Sequence, residues 1–352
     1  MKNPIARILR PAAAALLALS LSVSTATAEE QTQSSQSAQS TASTAVLTFG
    51  ENTNAEPAWR QFIGGDVEEA WAYSPSMGRS IPLIVLRADD SAGPRPTVYL
   101  LNGADGGEGT ANWLFHTDAL NFYRSKNVNL VIPMAGYRSF YTDWVEDNEA
   151  LGGKQKWETF LTKELPGPIE AALNANGKRA LSGVSMSATT TILYAQHNPG
   201  FYDAVASISG CQQTTGFLGD ATLHLTISSY GDPDMMWGPE GSETRQYNDI
   251  FANLDKLRGQ NIYVSNGSMT FGPYDLAGSP FLFEGVTSVD SVLNGGIIEG
   301  FSNMCAHNFA AKMKKANIPA TFNFTPVGTH SWGYWQDALR GSWSVFGPAL
   351  GL

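Results

Sequence analysis

The sequence predicts an α/β fold in which a mostly parallel central sheet is covered by helices on both faces. Apolar, β-branched runs alternate with helix-like segments along the 352 residues. These runs are apolar almost throughout, as expected for strands that are buried on both faces. No internal repeat or second linker divides the chain, so we expect one large domain, although the length would also allow two.

The predicted elements follow one another in order along the chain. Val46–Phe49 and Glu68–Leu86 are expected to form an antiparallel start to the sheet. The later strands are predicted at Thr97–Leu101, Val128–Pro133, Ala180–Gly183, Ala204–Ser209, Ile262–Ser265 and Ala320–Phe324. The helices are predicted at Asn112–Arg124, Trp157–Leu165, Ile169–Asn174, Ala188–Gln196 and Met304–Ala316.

The first 28 residues have the composition of a signal peptide. Its basic start consists of Lys2, Arg7 and Arg10. The apolar stretch Ala12 to Val23 is too short to span a bilayer of about 30 Å, and Ala26-Thr27-Ala28 is a small-residue cleavage site. Residues 29–45 are almost wholly Gln, Ser, Thr and Ala, which predicts disorder. We therefore expect residues 46–352 to be the folded domain of a secreted or cell-envelope protein.

Charge and cysteine content exclude several classes of function. The formal net charge of −10 becomes −13 once the three cations of the signal peptide are removed, so no nucleic-acid or polybasic membrane surface is expected. Cys211 and Cys305 do not have the spacing of zinc ligands. Two thiols often pair in an oxidising compartment, but the sequence leaves this pairing open.

The segment Gly183-Val184-Ser185-Met186-Ser187 predicts a nucleophile elbow, a strained strand-to-helix turn that exposes a serine hydroxyl. The fifth position is serine where glycine is usual. An α/β-hydrolase fold predicts the chain order nucleophile, acid, base. His330 follows the last predicted strand in a polar loop and is the expected base, whereas His307 falls inside a predicted helix. His116, His197 and His224 are expected to be surface or packing histidines.

Glu299 is the best candidate for the acid because it is a single charge in an apolar segment between glycines, where it needs a partner. A carboxylate at the start of a helix explains it equally well. Asp275 and Asp290 are poorer candidates, since their neighbours are typical of exposed turns. The oxyanion donors are expected to be the backbone N–H groups of Met186 and of Ala104, which follows an early strand.

With these motifs in place, the chain resembles the mycolyltransferases of the antigen 85 family, which are secreted enzymes of actinobacteria with a mycolic-acid envelope. The similarity covers essentially the whole predicted domain and is greatest to the corynebacterial branch. The motifs that carry it are Leu100–Gly103, Ser139–Trp144, Lys156–Pro166, Gly183–Ser187, Met236–Pro239 and Gly328–Trp335. So many blocks in the same order are far more specific than the serine turn alone.

The resemblance implies Ser185 as nucleophile, Glu299 as acid and His330 as base, with no metal and no organic cofactor. It implies that a mycolyl group moves from trehalose monomycolate to an acceptor hydroxyl. That acceptor is a second trehalose monomycolate, giving trehalose dimycolate, or arabinogalactan, or the serines of small envelope proteins. No transmembrane anchor is expected in the mature protein.

The sugar pocket implied by the resemblance is altered at two positions. Asn102 and Asp105 stand where the family has Asp and Arg. Asn102 can still bond a sugar hydroxyl, and with Trp332 it is predicted to contact trehalose or the acceptor. The sequence leaves two other functions open: a carboxylesterase or lipase with the same catalytic parts, and a noncatalytic envelope binding protein on the same scaffold.

Overall fold

The central sheet contains nine strands in the part of the chain that the structure, a computed structural model, describes: residues 43–51, 56–91, 93–282 and 287–352. In chain order they are β1 (Val46–Phe49), β2 (Val67–Ser74), β3 (Arg79–Leu86), β4 (Arg95–Leu101), β5 (Asn129–Pro133), β6 (Ala175–Val184), β7 (Ala204–Ile208), β8 (Ile262–Asn266) and β9 (Thr321–Phe324). Across the sheet their order is β1-β2-β3-β5-β4-β6-β7-β8-β9.

The strand direction divides the sheet into two parts. β1, β2 and β3 pair antiparallel, and β3 pairs antiparallel with β5. Every neighbouring pair from β5 to β9 is parallel. The predicted antiparallel start is therefore confirmed, with Glu68–Leu86 divided by a turn in which Gly78 has a φ of 67°.

The described α-helices lie between and after these strands. They are α1 (Trp113–His116), α2 (Ala119–Lys126), α3 (Trp157–Thr159), α4 (Pro166–Ala172), α5 (Met186–His197), α6 (Gly216–Ile227), α7 (Pro233–Trp237), α8 (Glu243–Tyr247), α9 (Ser288–Asp290), α10 (Gly296–Lys315) and α11 (Trp332–Leu350). Short π-helical turns follow α3 at Phe160–Glu164 and precede α10 at Ser291–Gly295.

The hydrophobic core lies on both faces of the sheet. Alternate residues of β4 show this directly: Tyr99 and Leu101 belong to the cluster that includes α5 and α10, whereas Val98 and Leu100 belong to the cluster that includes α11. Successive side chains of a strand point to opposite faces, so a strand covered on both faces is apolar throughout. The predicted α/β fold, a single domain with helices on both faces of a mostly parallel sheet, is confirmed.

The helix boundaries differ from the prediction more than the strands do. The predicted helix Asn112–Arg124 is two helices, α1 and α2, because Thr117 is extended with a φ of −142°. α10 begins at Gly296, eight residues before its predicted start at Met304. α11 was not predicted, because several glycines and Pro348 give it low helix propensity. Packing of its apolar face against the sheet overrides that propensity.

The predicted signal peptide, residues 1–28, and residues 29–42 of the predicted disordered segment lie outside the described residues. Ala45, the last residue of that segment, is buried, and its amide donates to the carbonyl of Glu164 at 3.0 Å. The described residues from 43 to 352 form one compact unit. Among the described helices, none combines the length and apolar character that crossing a membrane requires.

Candidate active site

Ser185 lies on a sharp turn between β6 and α5. Its φ of 55° and ψ of −117° are rarely adopted by residues other than glycine. The turn is tight because Gly183 has no side chain: a Cβ there would lie 2.4 Å from the carbonyl oxygen of Ser187. Ser187 occupies the usual glycine position and bridges the turn, since its hydroxyl accepts from the amide of Val184 at 2.9 Å. The predicted serine turn is thus present as a strained strand-to-helix connection.

Replacing Gly183 with alanine is expected to destabilise the fold by about 1–3 kcal/mol, because the added Cβ overpacks a buried turn. Gly167→Ala is the matched control, since no atom lies within 4 Å of a Cβ built there. We expect alanine at position 167, within α4, to leave stability unchanged or to raise it slightly. Urea unfolding measures both variants. An unchanged unfolding midpoint for Gly183→Ala would contradict the close approach.

A chain of hydrogen bonds joins Ser185, His330 and Glu299. His330 lies in the loop between β9 and α11, and its Nε2 is 2.8 Å from Ser185 Oγ. Its Nδ1 is 2.8 Å from Glu299 Oε2. A histidine held in this way can take the proton of a serine hydroxyl at Nε2 while its Nδ1–H donates to the carboxylate. The structure therefore brings together the three side chains that the sequence singled out.

The carboxylate of Glu299 is fully buried in the first turn of α10. Its Oε1 accepts from the hydroxyl of Ser209 at 2.9 Å and from the amide of Gly267 at 2.6 Å. The pairing with His330 agrees with the first explanation offered for Glu299. The helix-start explanation fits less well, because the helical turns at Ser288–Asp290 and Ser291–Gly295 run directly into α10. No sequence pattern marks Ser209 and Gly267, because their positions depend on how β7 and β8 align next to α10.

The remaining histidines lie away from this chain of hydrogen bonds. His307 lies on α10 and stacks on an aromatic ring of β9 with a centroid distance of 4.0 Å. His197 is paired with Glu158 at 3.0 Å. His224 is exposed on α6, and His116 stacks against the indole of Trp332.

The two rival acids occupy different places from those expected. Asp290 ends the short helix α9. Asp275 was predicted to lie in an exposed turn, and this prediction is wrong, because only 1% of its surface is exposed. Thr329 and Tyr334 cover its carboxylate and donate hydrogen bonds to it. Neighbouring residues in the sequence could not reveal this burial, since the covering groups come from a loop and a helix start more than fifty residues away.

The predicted oxyanion donors are free to receive a ligand. Neither the Met186 nor the Ala104 N–H donates to another group in the described ranges. The loop after β5 supports both residues: the amide of Arg138 donates to the carbonyl of Ala104 at 2.9 Å, and the amide of Phe140 lies 3.2 Å from the sulfur of Met186. Arg138 and Phe140 have φ values of 48° and 53°, a strained backbone of the kind that is concentrated at functional sites.

A cavity of about 360 Å³ opens over Ser185 and His330. Its polar lining residues are Asp105, Arg138 and Thr226. Its apolar lining residues are Ala104, Ala111, Leu225, Ile298, Trp332 and Trp335. Leu225 is 61% exposed, so apolar surface reaches the outside of the protein next to the serine. The cavity therefore offers both hydrogen-bonding groups and apolar surface around the serine hydroxyl.

The two predicted substrate contacts differ in position. Trp332 lines the cavity. Asn102 does not, since it is fully buried, its amide nitrogen donates to the carbonyl of Pro133 at 3.0 Å, and its oxygen accepts from the amide of Trp113 at 3.4 Å. The predicted sugar contact of Asn102 is therefore wrong, because the side chain instead connects the end of β4 to β5 and α1.

Asp105 and Arg138 are the charged groups of the lining. Asp105 Oδ2 accepts from the amide of Gly109 at 2.8 Å, and burial raises the pKa of this carboxyl. The Arg138 guanidinium donates to the carbonyl of Thr226 and, at 3.1 Å, to the hydroxyl of Tyr137. The acidic residue at position 105 is thus accompanied by a guanidinium that reaches the same cavity from the loop after β5.

Cys211 and Cys305 form a disulfide, which answers the question that the sequence left open. Cys305 lies on α10, six residues after Glu299, and Cys211 lies two residues after Ser209. The bond therefore ties α10 to the loop that follows β7. These are also the two segments that are joined by the hydrogen bond from Ser209 to Glu299.

A Cys211→Ser/Cys305→Ser double variant is expected to lose about 2–4 kcal/mol of stability, because the disulfide closes a loop of 94 residues in the unfolded chain. Met304→Ser, a change at the exposed neighbour on α10, is the control and is expected to stay within about 0.5 kcal/mol of wild type. Denaturant unfolding compares the three proteins. Two reactive thiols in the unreduced wild-type protein would contradict the pairing.

Comparison with known proteins agrees with the class that the fold and site define. A serine on a strand-to-helix turn, facing a histidine that is paired to a carboxylate on a mostly parallel sheet, is the arrangement of α/β hydrolases. A family model described as "Putative esterase" matches residues 74–343.

Two solved structures share the fold. MPT51 (FbpC1) of Mycobacterium tuberculosis has a TM-score of 0.66 at 21% identity and covers 82% of this chain and 100% of its own. An S-formylglutathione hydrolase from Agrobacterium tumefaciens has a TM-score of 0.61 at 14% identity, covering 82% and 97%.

Curated relatives give a narrower result. The diacylglycerol acyltransferase/mycolyltransferase Ag85A of Mycobacterium tuberculosis (strain ATCC 25618 / H37Rv) is 30% identical over 298 residues, which are 82% of each chain. Ag85B of Mycobacterium avium is 30% identical over 288 residues, covering 79% of this chain and 81% of the relative. The chain belongs to the putative esterase family and, within it, to the antigen 85 mycolyltransferases. It is therefore an esterase-like enzyme that catalyses acyl transfer.

Proposed function

We propose that this chain is an exported mycolyltransferase. It takes a mycolyl group from trehalose monomycolate, carries it on Ser185 and passes it to the hydroxyl of a second trehalose monomycolate or of arabinogalactan. The observation that carries this proposal is the 2.8 Å contact from His330 Nε2 to Ser185 Oγ in a chain whose relatives are named mycolyltransferases. Export is supported by the composition of residues 1–28.

In the first half of the reaction, Ser185 Oγ attacks the ester carbonyl of the donor while His330 Nε2 takes the hydroxyl proton. Glu299 accepts a hydrogen bond from the Nδ1–H of His330 and stabilises the imidazolium that forms. The N–H groups of Met186 and Ala104 donate to the oxygen that becomes negative. The bond between the carbonyl carbon and the trehalose oxygen breaks, and His330 returns the proton to trehalose as it leaves.

In the second half, an acceptor hydroxyl replaces trehalose in the cavity. His330 removes its proton as the oxygen attacks the acyl-enzyme, and Ser185 Oγ leaves and regains a proton from His330. The lining suits both parts of an amphiphilic ester, since Asp105 and Arg138 can hydrogen-bond sugar hydroxyls and Leu225 and Ile298 can contact an acyl chain. No step needs a metal or an organic cofactor.

The test follows every product when the purified protein is incubated with trehalose monomycolate alone. Transfer predicts one trehalose dimycolate for each trehalose released, with little free mycolic acid. Free mycolic acid equal to the released trehalose would show that water is the acceptor and that the enzyme is a carboxylesterase. If neither trehalose dimycolate nor free mycolic acid formed, the result would favour a noncatalytic binding protein. Adding arabinogalactan, or small envelope proteins that carry serines, then ranks the acceptors by the rate at which each becomes acylated.

A further inference from the structure

A second buried carboxylate lies behind the loop that carries His330. Asp275 ends a short 3-10 helical turn after β8, Pro273–Asp275, and is 1% exposed. Its Oδ2 accepts from the hydroxyl of Tyr334 at 2.6 Å, and its Oδ1 accepts from the hydroxyl of Thr329. Thr329 directly precedes His330, and Tyr334 follows it by four residues in the first turn of α11. One carboxylate therefore holds both flanks of this histidine.

The loop after β8, which carries Asp275, and the loop after β9, which carries His330, are also joined through their backbones. The amide of Met269 donates to the carbonyl of Gly328 at 2.9 Å, and the amide of Gly328 donates to the carbonyl of Thr270 at 2.6 Å. The amide of His330 donates to the carbonyl of Gly295 at 3.2 Å. These bonds position the main chain on one side of the histidine. The flanking side chains of Thr329 and Tyr334 hydrogen-bond to Asp275, and the ring of Tyr334 also packs edge-on against Tyr274 with a centroid distance of 5.0 Å.

The bonds to Asp275 are stronger than bonds between neutral groups, because an ionised carboxylate strengthens a hydrogen bond and a buried one needs donors. The backbone amide of Gly272 also donates to Asp275 Oδ2, at 2.8 Å. Burial and the neighbouring carboxylate raise the pKa of Tyr334, whose hydroxyl is a donor at neutral pH even at its ordinary pKa. At least three donors thus bond the Asp275 carboxylate, and two of them, Thr329 and Tyr334, lie on either side of His330 in the sequence.

We propose that Asp275 is a positioning residue for His330, acting through Thr329 and Tyr334 to keep the imidazole within reach of Ser185. This inference rests on the proposed function, because it assumes that His330 is the base. The imidazole must stay 2.8 Å from two partners at once, from Ser185 Oγ and from Glu299 Oε2. Catalysis is sensitive to such placement, since a shift of about 1 Å can reduce the rate about 100-fold.

The test uses the purified protein and two measurements that do not depend on the natural acyl donor. One is the rate at which a fluorophosphonate labels Ser185, and the other is kcat and KM for a p-nitrophenyl ester. Asp275→Asn, Thr329→Val and Tyr334→Phe are each expected to lower labelling and kcat about 10- to 100-fold, with KM changed by less than about twofold. Thr329→Ser keeps the hydroxyl and is expected to stay within about threefold of wild type.

Asp337→Asn is the matched control, because this exposed carboxylate accepts from the hydroxyl of Tyr274 close by but does not line the cavity over Ser185. It is expected to behave as wild type in both measurements. The thermal unfolding midpoint of every variant shows whether a lost activity comes from a misplaced His330 or from a misfolded protein. Comparing Thr329→Val with Thr329→Ser tests the proposal even if Asp275→Asn does not fold.

Labelling of folded Thr329→Val at the wild-type rate would overturn the proposal, as would equal losses in Thr329→Ser and Thr329→Val. A wild-type protein that the probe does not label at Ser185 would overturn both this inference and the proposed function. A wild-type protein that is labelled but transfers no mycolate would overturn the proposed function alone.

Discussion

Ser185→Ala is expected to abolish acyl transfer from trehalose monomycolate while leaving the fold intact. In the proposed mechanism this hydroxyl is the group that carries the acyl chain. By comparison with serine hydrolases, kcat should fall at least about 10⁴-fold. The fold should survive, because the tight turn depends on the backbone and on Gly183 and Ser187. Product analysis and a thermal unfolding curve measure the two expectations.

Ser344→Ala is the control for this variant, since it removes an exposed serine hydroxyl on α11 that donates to the carbonyl of Gly341 in the same helix. It should transfer acyl groups at the wild-type rate. If Ser185→Ala retained more than about one hundredth of wild-type transfer, the acyl carrier would have to be another residue.

Glu299→Gln is expected to lower kcat about 10³- to 10⁴-fold with a much smaller change in KM. The glutamine amide can offer an oxygen to His330 only by turning its NH₂ group towards Ser209 Oγ and the amide of Gly267, which are both donors now. Either orientation leaves a buried donor without an acceptor or favours the wrong histidine tautomer. Steady-state kinetics with a soluble ester measures the effect.

The chain offers a matched control in its second glutamate–histidine pair. Glu158 lies 3.0 Å from His197 Nδ1, away from the serine, so Glu158→Gln makes the same chemical change to a pair that has no role in catalysis. Its kcat per folded molecule is expected to equal that of wild type. The double variant Ser185→Ala/Glu299→Gln should be no slower than Ser185→Ala, because the three residues act as a unit. A fully active Glu299→Gln would show that another carboxylate supports His330.

The proximity of Ser185 and His330 could be predicted because local sequence marks both positions. A nucleophile elbow needs small residues on both sides of the serine, and the base follows a strand that periodicity identifies. Glu299 could be predicted only in part, since its segment fits a helix start as well as a catalytic pair. The disulfide was equally open, because it depends on the separation of two residues that are 94 apart in the chain.

The other parts of the site depend on tertiary structure. Ser209 and Gly267 reach Glu299 only because β7 and β8 end beside α10. Arg138 enters the cavity from a loop whose left-handed backbone no short pattern predicts. Asn102 was assigned to the substrate because its position matched a family pattern, but its amide is used by backbone groups of β5 and α1. Burial of such polar residues depends on which distant segments cover them.

The most direct test of the acyl-enzyme is mass spectrometry of the intact protein after brief mixing with trehalose monomycolate, followed by peptide mapping. We predict that the mass of the wild-type protein increases by that of one mycolyl group, with the adduct on the peptide that contains Ser185. Adding excess acceptor should remove the adduct as the acylated product forms. An unchanged wild-type mass alongside continued trehalose release, or an adduct that persists in Ser185→Ala, would contradict the account.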